Sequence, residues 1–94
     1  MVFEWDEGKN RRNEQKHGVS FELAREVFLD PLCLTIADPS SAPEERFWTI
    51  GTLPNLVILV VVHTTRFQRE QEITRIISAR TATRKERKFY EEME

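Results

Sequence analysis

The chain has 94 residues, of which 39% are hydrophobic and 32% charged, and a formal net charge of −2. That length holds one core and one domain spanning residues 1–94, and the composition excludes a disordered chain. The N-terminal MVFEWDEGKN has no apolar stretch, and the longest apolar run, Leu56 to Val62, falls far short of the roughly 18 residues of a membrane span, so the expected location is cytoplasmic with no membrane contact.

Phe3-Glu4-Trp5 alternates apolar and polar, as a short strand does. Asp6 then suits a helix N-cap, with Glu7 in the first turn and Lys16-His17 at the far end before Gly18. That charge order agrees with the helix dipole. The stretch DEGKNRRNEQK has almost no apolar stripe, so this helix is expected to be a weakly packed surface element displaying Lys9, Arg11, Arg12 and Lys16. Ser20 caps a second helix, on which Phe21, Leu23, Ala24, Val27 and Phe28 have amphipathic spacing, and Asp30-Pro31 ends it.

From there the period changes. Leu32 to Ala37 reads as a strand, Asp38 to Pro43 as a turn-rich loop, and Arg46 to Leu53 as another strand. Pro54-Asn55 connects to the apolar run from Leu56 to Val62, and Phe67 to Gln71 forms a loop back to the strand Glu72 to Ala79. Three strands joined by short loops most simply form an antiparallel meander whose central strand is covered on both faces. The single cysteine, Cys33, reads as a small core residue, since one thiol and two histidines give no disulfide and no zinc-ligand spacing.

The last element breaks a rule. Thr83 to Glu86 fits a capping box opening a helix from Arg84 to about Glu92, docked by Phe89 and Tyr90. Its charges run backwards: Arg84, Lys85, Arg87 and Lys88 crowd the positive end of the dipole, with Glu91 and Glu92 at the negative end. Residues 75–88 carry six Lys or Arg against Glu86 alone, while acids collect at 38–45 and at Glu91, Glu92 and Glu94. Cations beside free N–H groups at a helix N-terminus suit a phosphate, so an anion site is expected there.

The order strand, two helices, four strands and helix is an α+β arrangement. With FEWDEGKN, KHGVSF, DPLCLTIAD, EERFWTIG, VVVHTTR and RIISARTATRKERKFYEE in sequence, it resembles the BrnT family of bacterial type II toxins from about Phe3 to Glu92, most specifically in KHGVSF and ISARTATRKER. The resemblance implies a small RelE-like fold, a ribonuclease activity that blocks translation, and neutralisation by a BrnA-like ribbon-helix-helix antitoxin. It further implies a toxin-antitoxin heterotetramer that reaches DNA only through the antitoxin and represses its own operon.

Metal-free RNA cleavage needs a general base for the 2′-hydroxyl, a proton for the leaving 5′-oxygen, and cations for the charge on the phosphoryl oxygens. The sequence has no carboxylate cluster and no nucleotide-binding glycine loop, so no metal and no cofactor are expected. Arg80, at the end of the last strand, and Arg84, on the first helical turn, are the candidate phosphate cations. The candidate bases are His63, Lys16 and His17, with Tyr90 a further alternative because RelE-like enzymes commonly use Arg, Lys and Tyr. Histidine's ordinary pKa near 6.5 favours His63, while a lone histidine beside an apolar face equally suits a structural role. Antiparallel pairing places Arg66 nearer Glu72 than Arg80, which makes it a substrate or surface contact. Lys9 and Lys85 are further RNA contacts, and Trp48 and Trp5 are candidates for base stacking or for core packing. The acidic segment 38–45 suits a basic antitoxin segment or a solvated turn. A different reading is a non-catalytic module that binds the antitoxin and acts in operon repression.

Overall fold

Residues 1–41 and 44–93 are described by a computed structural model; Ala42 and Pro43 of the expected loop, and the acidic Glu94, lie outside the described residues. The strands are β1 (Val2–Glu4), β2 (Leu34–Ala37), β3 (Phe47–Thr52), β4 (Ile58–Gln68) and β5 (Gln71–Thr81). The helices are α1 (Glu7–His17), α2 (Phe21–Ala24, running on as a 3₁₀ turn, Arg25–Leu29) and α3 (Arg84–Glu92). The strands form one sheet in the order β1-β5-β4-β3-β2. The expected meander holds and includes β2, while β1 adds itself in parallel to β5. No helix among the described residues is long and apolar enough to cross a membrane.

Side-chain alternation along β3, β4 and β5 builds two cores. On one face Leu59, Val61, Ile76 and Ala79 meet Val19, Phe21, Ala24 and Val27 from the helical layer. On the other, Ile50, Ile58 and Val60 meet Ala82 and Tyr90 at α3. Burial of β4 on both faces follows from its apolar run, as expected of a central strand.

The helical layer corrects two expectations. Phe21, Ala24 and Val27, all fully buried, recur at intervals of three, the period of a 3₁₀ helix, and the segment tightens from α to 3₁₀ after Ala24. Leu23, placed by helical spacing on the apolar stripe, is exposed instead. The tight turn lets Val27 approach β3 so closely that a Cβ on Gly51 would stand 2.7 Å from Val27 Cγ1, so only glycine fits there.

Helix α1 is not weakly docked. Asn10 and Asn13 are buried and hold it by hydrogen bonds in place of an apolar stripe. The Asn13 Nδ2 donates to the carbonyls of Val19 and Ala79 at 2.8 Å each, and its Oδ1 accepts the Ala79 N–H at 3.2 Å. The Asn10 Oδ1 accepts the Phe21 N–H at 2.8 Å, and its Nδ2 donates to Glu22 and Glu7. The registered pairing of β1 with β5 ends at Arg75, so the Asn13 carboxamide takes the place of a neighbouring strand at Ala79.

The β-ribbon is longer than the sequence suggested. The expected loop Phe67 to Gln71 is a two-residue turn at Arg69-Glu70, both with positive φ (52° and 64°), as in the primed hairpin turns that match strand twist. At the other end Leu56 takes φ 71°, the position after Pro54-Asn55 that such loops usually give to glycine, at a cost of roughly 1 to 2 kcal/mol. Leu56 is therefore 81% exposed and the strand proper starts at Ile58.

Replacing Asn13 by alanine strands the Ala79 N–H and C=O and the Val19 C=O in a buried setting. The expected loss is about 2 kcal/mol or more, read as a lower urea midpoint with an unchanged slope; an unaltered midpoint would show that α1 docks by other means.

Candidate functional site

Arg80 stands opposite Val60 in register, so it leaves β5 on the α3 face of the sheet. Its guanidinium donates to both carboxylate oxygens of Glu86, at 2.6 and 2.8 Å, and lies 5.8 Å from the centroid of the Trp48 ring. Glu86 also closes the predicted capping box: its Oε1 accepts the Thr83 N–H at 2.9 Å, and its own N–H reaches Thr83 Oγ1 at 3.1 Å. One carboxylate thus ties the end of β5 to the start of α3. The Arg80 hydrogen bonds, with those from Thr83, outweigh burial and hold the Glu86 carboxyl down at about 2, while Glu86 in turn raises Arg80.

The first turn of α3 keeps the reversed charge. Arg84, Lys85 and Arg87 are exposed and form no ion pair among the described residues, and Lys88 comes only within 4.0 Å of Glu92. The capping box takes the Glu86 N–H, which leaves those of Arg84 and Lys85 at the helix start. A second group of cations comes from α1. Lys9, Arg12, Lys16 and His17 line an open cavity of about 310 Å³ with Asn13, Ile77 and Ser78. Because Asn13 binds Ala79 and Arg80 follows directly, both cationic groups are anchored to the last third of β5.

Arg66 is not brought into this group. Along β4 it stands six residues beyond Val60, the partner of Arg80, or about 20 Å of strand. There it makes a bidentate pair with Glu4 at 2.9 Å, and Arg75 joins the same carboxylate at 2.9 Å. The two arginines, through these hydrogen bonds, lower Glu4 to about 2.

Two candidates prove to be interior. His63 lies within β4, which continues to Gln68, and its ring enters the helical-side core. Regular alternation with Leu59 and Val61 gives it that face, the bulge being the extra Ile77 on β5. It is 3% exposed, edge-on to Phe28 and stacked on Phe47, with Nε2 2.7 Å from Thr49 Oγ1. The Nδ1 is buried without a well-formed partner, touching only the Thr64 backbone, and burial lowers the pKa. A neutral imidazole closed off from solvent cannot exchange protons with a substrate, so the structure offers it a packing role. Tyr90 is also buried; its hydroxyl donates to Asp30 Oδ2 at 2.5 Å and accepts from Thr52 Oγ1 at 3.0 Å, which locks α3 to the β3 end. Burial raises the Asp30 carboxyl, but the bonds from Tyr90 and the Thr52 and Leu32 N–H groups more than offset this and leave it lowered.

The tryptophans separate. Trp5 packs on the helical-side core, edge-on to Phe21. Trp48 is half-buried and lines a groove of about 260 Å³ with Ile36, Ile50, Lys85, Glu86 and Phe89. Sequence reasoning missed the grip of Glu86 on Arg80 and the exposure of Phe89. The six-residue spacing from strand end to N3 was the available signal for the first; nothing in the spacing distinguished the second from a docking residue.

Two comparisons bear on this site. The family model described as ribonuclease toxin, BrnT, of type II toxin-antitoxin system matches residues 5–86. A 1.1 Å crystal structure of the Brucella abortus ribonuclease toxin BrnT is 30% identical, with 89% of this chain and 100% of that one covered at a TM-score of 0.63. No match was found among curated proteins.

The Glu86 carboxyl titrates at about 2 in the fold against an ordinary 4.5, so the folded state binds fewer protons in that window. Its contribution to stability is complete above 4.5 and is lost as pH falls toward 2. Glu4, also at about 2, shares the window. Glu86→Gln should lower stability at neutral pH and flatten, without abolishing, the acid-side decline in unfolding free energy; an identical decline in the variant would mean that Glu86 is not coupled to Arg80.

Proposed function

The chain belongs to the BrnT family of ribonuclease toxins of type II toxin-antitoxin systems, and on that premise we propose that it is a metal-independent, RelE-like endoribonuclease that acts in the cytoplasm and inhibits translation. The observation carrying this reading is that two cationic groups are anchored to the last third of β5, one of them at a helix start where like charge is unfavourable without an anion. A strand phosphate seated there meets Arg84 and Lys85 directly, and Arg80 through the donors that Glu86 leaves unused, since two of its five N–H groups are engaged. These cations offset the charge that grows on the phosphoryl oxygens as the 2′-oxygen attacks phosphorus and the bond to the 5′-oxygen breaks.

A base must take the 2′-proton, and an acid must return one to the 5′-oxygen. Lys16 and His17 are the accessible candidates, being exposed and sharing the cavity beside Ser78. Lys9 extends the phosphate track along α1. Arg66, with its carboxylate clamp, serves as a remote contact at most. Neutralisation by a BrnA-like ribbon-helix-helix antitoxin, in a heterotetramer that touches DNA through the antitoxin, completes the reading; the type II membership supports a protein antitoxin of this kind.

Purified protein should degrade RNA equally with and without EDTA. Arg80→Ala and Arg84→Ala should each lower the cleavage rate about a hundredfold or more, Lys16→Ala or His17→Ala should identify the base, and His63→Gln should leave the rate of the folded fraction unchanged. Loss of cleavage with EDTA would remove the metal-free mechanism, and an intact, folded protein without any cleavage would leave an antitoxin-binding repressor module.

A further inference from the structure

We propose that the groove between β2, β3 and α3 is a nucleobase slot, which seats one unpaired base of the RNA whose phosphates lie on the first turn of α3. This rests on the ribonuclease reading above and assigns a subsite within it.

The groove has walls of hydrocarbon and aromatic carbon: Ile36 and Ile50 from adjacent strands, half-buried Trp48, and Phe89 from α3. Two of these are open to water, Ile36 at 40% and Phe89 at 41% exposure. At about 260 Å³ it lies just below the usual range for small-molecule sites, a size for a single flat group rather than a chain of them. Its rim is ionic, because Lys85 and Glu86 line it and Arg80 lies against the Trp48 ring.

That combination selects an occupant. A nucleobase presents an apolar face for Trp48 and Phe89 and polar edges for the rim. Glu86 still has acceptor capacity: its Oε1 receives both Arg80 and Thr83, but its Oε2 receives only Arg80, which leaves one lone pair for an N–H on a base edge. Lys85, one residue from the carboxylate, joins Arg84 and Arg87 in exposing unpaired positive charge beside the groove. An apolar protein segment would fill the slot equally well yet leave those cations unanswered, whereas a nucleic-acid strand supplies base and phosphate together.

A short 2′-O-methyl oligoribonucleotide, which lacks the attacking hydroxyl, gives a binding measurement independent of cleavage. The wild type should bind it with quenching of tryptophan fluorescence and should bind an abasic version of the same strand much more weakly. Phe89→Ala should lose about ten- to a hundredfold in affinity for the base-bearing strand, with little change for the abasic one, and Phe89→Tyr should restore it. Equal binding of both strands by the wild type, or undiminished binding by Phe89→Ala, overturns the slot. The same holds if Phe89→Ala keeps its affinity for RNA but escapes its antitoxin, since the groove would then be a protein-docking surface. Failure of the ribonuclease reading is separately visible, as a wild type that binds the base-bearing strand but does not cleave RNA.

Discussion

The Asn13 carboxamide is the joint on which the two layers turn. It satisfies three backbone groups at once, two on Ala79 and one on Val19, and so stands in for strand pairing where β1 has ended. A carbonyl or N–H left bare at this depth costs more than a single hydrogen bond gains, so the groups form a set that is satisfied together or not at all. The arrangement frees the outer surface of α1 from any packing duty. Almost every other residue of the helix is exposed, and Lys9, Arg12 and Lys16 display charge beside His17 without exposing core.

The electrostatics of the opposite face follow a related economy. Glu86 is the acid that the α3 N-terminus requires, and it is also the counter-ion of Arg80. Because Glu86 meets the local demands of cap and dipole, Arg84, Lys85 and Arg87 can remain at the unfavourable end of the helix with no carboxylate of their own. The pair does more than stabilise the fold. Its value lies in geometry: a guanidinium held at two points and placed against Trp48 keeps one orientation, which a free arginine on a strand end does not.

Much of this was legible in the residues. Strands were expected at Arg46 to Leu53 and Glu72 to Ala79, where β3 and β5 lie, the apolar run marked β4, and Asp6, Ser20 and Thr83 all cap the helices they were expected to cap. Antiparallel register correctly kept Arg66 away from Arg80. What failed to show was anything encoded in partners distant along the chain. A polar helix gave no sign of being docked, because its anchors bind backbone 66 residues away rather than through a stripe. His63 could be read as a base or as a structural residue, and its enclosure between Phe28, Phe47 and Thr49 comes from elements distant along the chain. Arg69-Glu70 lacks the glycine or asparagine by which a tight hairpin is usually recognised. Tyr90 could be read as docking or as chemistry, and only the Asp30 and Thr52 contacts decide for docking.

The parallel pairing of β1 with β5 has a consequence in time. Val2 meets Ile73 and Glu4 meets Arg75, so β1 leaves the ribosome well before its only partner in the sheet among the described residues, β5, is made. The meander β2-β3-β4 can pair locally as it emerges, but β5 must arrive before β1 finds its place and before Asn13 finds Ala79. Both cationic groups depend on that same strand. In a growing chain the two cationic groups therefore stay unassembled while β5 is still inside the ribosome, and they take their places only once that strand has emerged.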